Sequence, residues 1–167
     1  ERSQLRIVDQ SLQAGRHDWF FKQDAAQQKS RGYKSYPAGL LLAYEAANSR
    51  QARLYTALQD GAPVAAMLVL MHGAMATYQA GVSTDAGRRT CAHNLLLWQI
   101  MSDLHRRGFA ALDLGRADLN PGLTRFKRGT GAEFETLAGS FLFHPWFMKR
   151  RQETLYPRSM VNSPIQR

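Results

Sequence analysis

The spacing of apolar residues changes along the chain, and each change predicts a different element. Residues 16–33, "RHDWFFKQDAAQQKSRGY", carry apolar residues at helical spacing and predict a helix that ends near Gly32. Residues 35–51, "SYPAGLLLAYEAANSRQ", predict a second helix with Pro37 near its first position, where a missing N–H is tolerated. The first part of the chain is therefore predicted to be helical.

Three strands are predicted next, because the apolar pattern shifts to alternation and to a short continuous run. They cover "RLYTALQ" at 53–59, "VAAMLVLMHG" at 64–73 and "ATYQAGVS" at 76–83. The connecting stretches "DGAP" and "HGAM" are turn sequences that contain glycine. Consecutive strands joined by such short turns predict an antiparallel meander.

The second half of the chain returns to helical spacing and then alternates between short elements. Residues 85–108 predict a helix, and 109–115, "FAALDLG", predict a short buried strand parallel to the third strand. Residues 120–133, "NPGLTRFKRGTGAE", predict a turn and a short helix, and residues 134–146 predict a last strand. The predicted fold class is α/β, with one mixed, mostly antiparallel sheet flanked by helices.

Composition adds a size and a charge to this picture. The chain has 167 residues, of which 44% are hydrophobic, enough for one domain with a core. We expect that domain to cover residues 1–148 and a basic tail to cover residues 149–167. The net charge of +9 favours polyanionic partners, such as nucleic acid, phosphorylated ligands or an anionic membrane surface.

Several classes of protein are disfavoured by the same composition. The single cysteine, Cys91, excludes an internal disulfide, and the five histidines show no ligand spacing, so no metal site is predicted. The longest apolar run, Val64–Met71, is too short for a transmembrane segment. No signal-peptide pattern is visible, so a cytoplasmic location is expected. The start at Glu1 rather than at a methionine suggests a segment upstream.

The junction between the third strand and the following helix, "AGVSTDAGRRTCAHN", has the character of an anion site. It combines flexible glycines, two arginines and the free amides of a helix start, which favour negative charge. A solvated loop with a basic helix entry is the alternative. Cys91 is a conceivable nucleophile, and a small buried residue is its alternative role. The candidate donor-binding residues are Gly81, Val82, Arg88, Arg89, Thr90, Cys91, Ala92, His93 and Asn94, together with Phe126 further along the chain.

Three further side chains are candidates for the chemistry itself. Lys127, flanked by glycines in "GLTRFKRGTG", can stabilise a phosphate or an oxyanion, or can belong to a solvated basic loop, while Phe126 is expected to pack. Asp113 ends the predicted buried strand, where a carboxylate acts as a base or pairs with Lys127 or Arg116. Tyr78 can donate its hydroxyl to a substrate or can be an ordinary half-buried strand residue.

Four motifs follow one another in the stretch from residue 30 to residue 145. They are "Y-x-x-G" at Tyr78–Gly81, "LLLW" at 95–98, "G-x-x-x-x-DLG" at 108–115 and "G-L-x-x-FK-x-G-x-G" at 122–131. As an ordered set they resemble the GNAT acyltransferase fold. More narrowly, they resemble one lobe of the Fem-like (FemAB-type) transferases, which include aminoacyl-tRNA-dependent enzymes that add residues to peptidoglycan precursors.

This resemblance implies transfer of an acyl or aminoacyl group to an amine by direct attack, with no covalent enzyme intermediate. It places Phe126 and Lys127 in the transfer site, where Lys127 stabilises the tetrahedral intermediate or the leaving group. It implies no tightly bound cofactor. The donor carrier is an acyl-CoA, an acyl carrier protein or an aminoacyl-tRNA, and the acceptor is an amine whose identity the sequence does not give.

Three departures from the family pattern bear on the donor. Fem-type enzymes usually have two lobes, and this chain has room for one. The usual GNAT pyrophosphate loop, "Q/R-x-x-G-x-G/A", is not intact, since "RRTCAHN" lacks both glycines, which weakens coenzyme A as the carrier. Thr130 replaces an aromatic residue in the lysine motif.

Two other functions stay open on the sequence. The chain can be a non-catalytic basic lobe that binds RNA or an acidic partner, given its charge and its incomplete pyrophosphate loop. It can also be a structural lobe that packs against an upstream lobe through its apolar N-terminal helices.

Overall fold

One mixed sheet is the frame of the part of the chain that the computed structural model describes, residues 5–116 and 121–136. Within those residues its five strands lie side by side in chain order. Strands β1 to β4 pair antiparallel, and β5 pairs parallel to β4, so the predicted meander and the predicted parallel strand are confirmed. The strands are β1 (Arg6–Ser11), β2 (Ala52–Gln59), β3 (Ala62–His72), β4 (Met75–Ser83) and β5 (Ala111–Asp113).

Helices connect these strands and cover the sheet. The first two confirm the predictions, and Gly32 ends α1 in the left-handed conformation that glycine favours, with φ 67°. The helix predicted over residues 85–108 is instead two helices, because Cys91 has a left-handed backbone with φ 52°. The helices are α1 (Asp18–Arg31), α2 (Ala38–Ala47), α3 (Asp85–Arg89), α4 (Ala92–Arg106) and α5 (Pro121–Arg128).

Strand β1 is an element that the sequence pattern did not predict. The first part of the chain was expected to be helical, and this is wrong for Arg6–Ser11, which pairs antiparallel with β2. The pairing joins Arg6 to Leu58 and Ser11 to Arg53, residues more than forty positions apart along the chain. A six-residue strand with a mixed burial pattern owes its conformation to this partner rather than to its own periodicity.

Both faces of the sheet are covered, which explains the continuous apolar run of β3. On one face, Met67 and Val69 of β3 pack with Leu96 and Ile100 of α4. On the other face, Leu68 of β3 packs with residues of α1 and α2. A strand buried on both sides is expected to lack a polar face. Strand β5 was predicted to be buried, but its residues are exposed, half-buried and exposed in turn.

The chain divides into two compact units, Glu1–Ala132 and Glu133–Arg167. The strands and helices named above belong to the first unit. Of the second, the structure describes residues 133–136, which have no regular secondary structure, so the predicted last strand is wrong there. The remainder of that strand, 137–146, and the predicted boundary at residue 148 lie outside the described residues. None of the helices in the described ranges is long and apolar enough to cross a bilayer.

Candidate active site

The sheet opens between β4 and β5. These strands pair over three positions, from Met75 with Ala111 to Thr77 with Asp113, whereas β4 runs on to Ser83. Among the described residues, the β4 edge beyond Thr77 therefore has no β5 partner. Backbone groups on an unpaired strand edge are available to an extended ligand, so this edge is a natural place for a binding cleft.

A bulge in β4 decides which side chains face this cleft. Leu68 pairs with Ala80 and Val69 pairs with Tyr78, so Gln79 is one residue more than the opposite strand accommodates. Before the bulge, Tyr78 lies on the α4 side of the sheet. After it, Ala80 lies on the side of α1 and α2. The bulge therefore returns Gly81 to the side on which Tyr78 lies.

Tyr78 and Gly81 are in contact as a result. A Cβ atom built on Gly81 would lie 2.1 Å from the hydroxyl oxygen of Tyr78, so only glycine leaves room for this ring position. Burial raises the pKa of Tyr78, and its hydroxyl stays protonated at neutral pH. The carbonyl of Gly81 accepts a hydrogen bond of 3.0 Å from Nε2 of Gln27 on α1. The "Y-x-x-G" motif is thus a packing unit at the open edge.

Helix α5 brings the lysine motif to the same place. Lys127 is only 5% exposed, and its Nζ donates a hydrogen bond of 2.6 Å to the carbonyl oxygen of Arg116, just after β5. Burial lowers the pKa of Lys127, and the negative charge of Asp113 partly opposes this. Six side chains close a gap with no room for a water molecule: Met67, Tyr78, Leu97, Leu114, Phe126 and Lys127. The structure therefore brings Tyr78, Phe126 and Lys127 together.

Asp113 occupies a different position from the one expected. It is exposed rather than buried, and its Oδ1 accepts a hydrogen bond of 2.6 Å from the backbone N–H of Gly115. The described residues contain no ion pair between Asp113 and Lys127. Asp113 therefore fixes the turn after β5 and acts on Lys127 through its charge rather than through contact.

The turn between β4 and α3 is held by a side-chain cap. Thr84 receives a hydrogen bond of 3.2 Å at Oγ1 from the N–H of Gly87. Its own N–H and hydroxyl both donate to the carbonyl of Val64, at 2.9 and 3.0 Å. Arg88 is exposed, pairs with Asp85 and donates to the carbonyl of Ser83. The turn is therefore fixed to β3.

The start of α4 contains the remaining candidate donor-binding residues. Cys91 is exposed, so the expectation of a small buried residue is wrong. It takes the left-handed backbone that glycine favours, although the family's glycines are missing here. Within the described residues, the N–H groups of Ala92 and His93 have no hydrogen-bond partner. Arg89 and Asn94 lie close to them in the chain and are exposed. An anion can therefore reach the guanidinium of Arg89 and the side-chain amide of Asn94.

The side chains of His93 and Thr90 form hydrogen bonds to backbone carbonyls of the chain. Nε2 of His93 donates a hydrogen bond of 3.0 Å to the carbonyl of Val82, and burial lowers the pKa of this histidine, so the neutral form is favoured. Thr90 donates from Oγ1 to the carbonyl of Ala86 at 3.0 Å. His93 therefore fixes the start of α4 against β4, and Thr90 closes the end of α3 just before it.

A polar network on α1 was not among the sequence candidates. Asp24 is buried, and Gln27 joins α1 to Gly81 at the open edge. The sequence offers no clear signal for this network, because the pattern of α1 does not show which element Asp24 faces. The candidates found from sequence lie on β4, α3, α4, β5 and α5 and in the link between α3 and α4, and none lies on α1.

Several solved structures share this fold. An aminoglycoside acetyltransferase from an uncultured soil metagenomic sample, solved with sisomicin, is 13% identical, with a TM-score of 0.61 over 84% of this chain and 97% of that chain. The ribosomal-protein-S18-alanine N-acetyltransferase of Escherichia coli is 16% identical, with a TM-score of 0.58 over 75% and 77%. A possible acetyltransferase from Clostridium difficile 630 is 13% identical, with a TM-score of 0.62 over 83% and 97%. At these identities the likeness shows the fold.

The fold is shared with these acetyltransferases, and the sequence shows to which family the chain belongs. Residues 4–128 match the profile of the acetyltransferase (GNAT) domain, so the chain belongs to the GNAT family and is an acyltransferase. GNAT acetyltransferases take their acyl group from an acyl-CoA and pass it to an amine. No curated protein matches the chain in sequence.

Proposed function

We propose that this chain is an N-acyltransferase of the Fem-like type that uses a thioester donor, with an acyl-CoA as the first choice. The observation that carries the proposal is the meeting of Tyr78, Phe126 and Lys127 at the edge where β4 leaves β5. Two of the four motifs shared with the Fem-like transferases supply these residues. Lys127 and the start of α4 supply polar groups at this edge. Met67, Leu97, Leu114 and Phe126 supply an apolar wall.

The start of α4 fits the phosphates of a coenzyme A donor. The amide of His93 and the exposed side chains of Asn94 and Arg89 would hold the pyrophosphate, since helix starts and arginine favour phosphate. The left-handed Cys91 supplies the turn for which the family uses glycine. Along the open edge, Gly81 and Val82 would offer backbone groups to the rest of the carrier. These positions support an acyl-CoA in spite of the missing glycines.

The transfer step is a direct displacement at the thioester carbonyl. The amine nitrogen attacks the carbonyl carbon, a C–N bond forms, the C–S bond breaks, and the negative charge moves from the carbonyl oxygen to the departing sulfur. The ammonium of Lys127, in surroundings poor in water, stabilises that charge. The hydroxyl of Tyr78 gives its proton to the leaving sulfur, and its oxygen takes up the proton that the amine nitrogen loses, so the products are the amide and the free thiol and Tyr78 is restored. Asp113 is a positioning residue in this scheme.

The test of this function is acyl transfer by the whole chain with three donors. Acetyl-CoA, acetylated acyl carrier protein and aminoacyl-tRNA are each mixed with a set of primary amines, and the product is identified by mass, with thiol release as a second measure for the thioesters. We expect amide formation from acetyl-CoA and an acetyl-CoA-dependent rise in Tm. Transfer from aminoacyl-tRNA alone would name the other donor. Salt-dependent tRNA binding without transfer from any donor would overturn the enzyme and favour the basic binding lobe.

Gly81→Ala is expected to displace Tyr78 and to slow transfer by about tenfold, while lowering the free energy of unfolding by about 1–2 kcal/mol through overpacking. The reason is the 2.1 Å separation between the added Cβ and the Tyr78 hydroxyl oxygen. Initial rates and urea denaturation measure the two effects.

A double-mutant cycle with Tyr78→Phe isolates this contact. Without the hydroxyl, the nearest ring atom is 3.0 Å from the added Cβ, so Gly81→Ala should cost less stability in the phenylalanine background than in the wild type. Equal costs in both backgrounds would show that Tyr78 does not lie over Gly81.

A further inference from the structure

A pocket of about 310 Å³ opens between α1 and the segment that leads into α2. Its volume is at the lower end of the range of about 300–1,000 Å³ that small-molecule sites occupy. Phe21, Tyr36 and Pro37 provide its apolar and aromatic walls, and Asp24 and Gln28 provide its polar groups. The pocket thus combines a carboxylate with surfaces that suit an aliphatic chain.

Asp24 is an unusual residue in this position, because it is only 4% exposed. Its Oδ2 accepts a hydrogen bond of 2.7 Å from Nε2 of Gln28, and its Oδ1 accepts one of 3.4 Å from the hydroxyl of Tyr33. Both donors are neutral. Buried carboxylates are normally paired with a cation, yet Asp24 forms no ion pair with any described residue. Lys34 lines the pocket but is exposed and does not pair with it.

Hydrogen bonds connect this carboxylate to the open edge of β4. The Tyr33 hydroxyl that donates to Asp24 accepts a hydrogen bond of 2.8 Å from Nε2 of Gln27. The second hydrogen of the same nitrogen goes to the carbonyl of Gly81 at 3.0 Å. Gly81 lies under Tyr78, so two side chains separate the pocket carboxylate from the proposed transfer edge.

We propose that the pocket is an ammonium site that holds a second nitrogen of the acyl acceptor, so that the acceptor is a diamine or another compound with two basic nitrogens. This inference about the acceptor rests on the proposed function, acyl transfer to an amine. A nitrogen bound to a carboxylate is protonated and has no lone pair for attack, so it cannot be the nucleophile. The nucleophile is then the other nitrogen of the same molecule, which in this proposal passes Tyr33 and Gln27 to reach the β4 edge.

The net charge of the chain allows specific binding of a diamine at Asp24 to be distinguished from non-specific electrostatic attraction. The net charge is +9, so the protein as a whole repels cations. A diamine that binds must therefore find a local negative group that no cation of the protein neutralises. Asp24 is such a group, because its two hydrogen-bond donors are neutral and it forms no ion pair with Lys34, which lines the same pocket, or with any other described residue.

The first experiment measures binding without any acyl donor. Calorimetric titration of the whole chain with 1,5-diaminopentane, pentylamine and 1-pentanol compares an ammonium with a hydroxyl on the same carbon chain. We expect both amines to bind about tenfold more tightly than the alcohol, as the loss of a charge-assisted hydrogen bond implies. Asp24→Asn should remove that difference, and Asp60→Asn, the same charge change in the exposed turn between β2 and β3, should leave it intact.

A second variant guards against an effect of Asp24→Asn on folding. Ala25 is exposed and lines the pocket, so Ala25→Phe fills the pocket without touching the hydrogen bonds of Asp24. It should weaken diamine binding by about tenfold at an unchanged Tm. Equal affinity for amine and alcohol, or equal binding by Asp24→Asn and Asp60→Asn, would overturn the ammonium site.

Acyl transfer separates this inference from the function on which it rests. In the wild type, kcat/KM for 1,5-diaminopentane should exceed that for pentylamine by about tenfold, and Asp24→Asn should abolish the preference. Equal rates for the two amines would overturn the inference and leave the acyltransferase intact. Diamine binding that depends on Asp24, with no transfer from any donor, would overturn the acyltransferase and uphold the ammonium site.

Discussion

Replacing Lys127 with methionine is expected to lower kcat for acyl transfer by about 10²–10³-fold, the range found when one group that stabilises an oxyanion is removed. The ammonium is buried beside Tyr78 and Phe126, where water does not replace it. Methionine keeps the length and most of the volume of lysine. It gives up the hydrogen bond to the carbonyl of Arg116 but also the cost of burying a charge. The free energy of unfolding should therefore change by no more than about 1 kcal/mol.

A matched control is available on the same helix. Arg125 is exposed on α5, so Arg125→Met removes one positive charge without changing the transfer edge. Its kcat should equal that of the wild type within about twofold, because an exposed charge away from the transfer edge has little effect on the reaction or on stability. A folded Lys127→Met variant that keeps wild-type kcat would remove Lys127 from the chemistry and leave it the structural role of joining α5 to the end of β5.

The pH dependence of the wild type and of Lys127→Met gives a second test of the role of Lys127. Burial lowers the pKa of Lys127 from its ordinary value of 10.5 in the folded protein. Between the two values the unfolded chain binds more protons, so the contribution of Lys127 to the free energy of unfolding rises with pH across this window. Catalysis depends on the ammonium, so kcat should fall as pH rises through the lowered pKa. Lys127→Met should lack both effects.

Gly87→Ala is expected to lower the free energy of unfolding by about 3 kcal/mol, at the upper end of the range for overpacking. A Cβ on this buried residue would lie 2.3 Å from the carbonyl oxygen of Val64 and 2.7 Å from Oγ of Ser83. The carbonyl cannot yield easily, because it accepts hydrogen bonds from both the N–H and the hydroxyl of Thr84. Urea denaturation measures the change.

Gly39→Ala is the control for this substitution. Gly39 lies in α2, and apart from its chain neighbours and the backbone of its own helix no atom is within 4 Å of the position that its Cβ would take. Alanine should there raise the free energy of unfolding by about 0.5 kcal/mol, since it restricts the unfolded chain and favours the helix. If Gly87→Ala were as harmless as Gly39→Ala, the close approach of α3 to β3 would be wrong.

Donor binding should report the same contact. Displacement of α3 in Gly87→Ala moves Arg89 and the start of α4, which we propose to hold the donor phosphates. Weaker stabilisation by acetyl-CoA in this variant, at temperatures where it remains folded, would connect the packing at Val64 to the donor site.

Much of the sheet could be predicted because local sequence encodes it. The alternation in "RLYTALQ", the continuous apolar run of β3 and the two short turns specify a meander without reference to distant residues. Gly32 marks the end of α1 for the same reason, since the left-handed residue that ends a helix is usually glycine. The ordered motifs led to the family in the same way, and residues 4–128 match its profile.

The errors share the opposite cause. Strand β1 forms against residues more than forty positions away, and two of the three residues of β5 are exposed although a buried strand was predicted there. Cys91 breaks the predicted long helix because its backbone is left-handed, which no periodicity shows. Each of these features depends on what lies beside the segment rather than on the segment itself.

The sequence by itself determined the order of the elements, the meander, the basic charge and the motifs that indicate acyl transfer, because periodicity and turn chemistry act over a few residues. Only the tertiary structure decided which motif residues meet. The one-residue bulge at Gln79 returns Gly81 to the Tyr78 side, and α5 buries Lys127 against the end of β5 while Asp113 remains exposed. The ammonium site also needs α1, since Asp24 reaches the β4 edge through Tyr33 and Gln27. Contacts between residues far apart in the chain depend on packing, which no local pattern records.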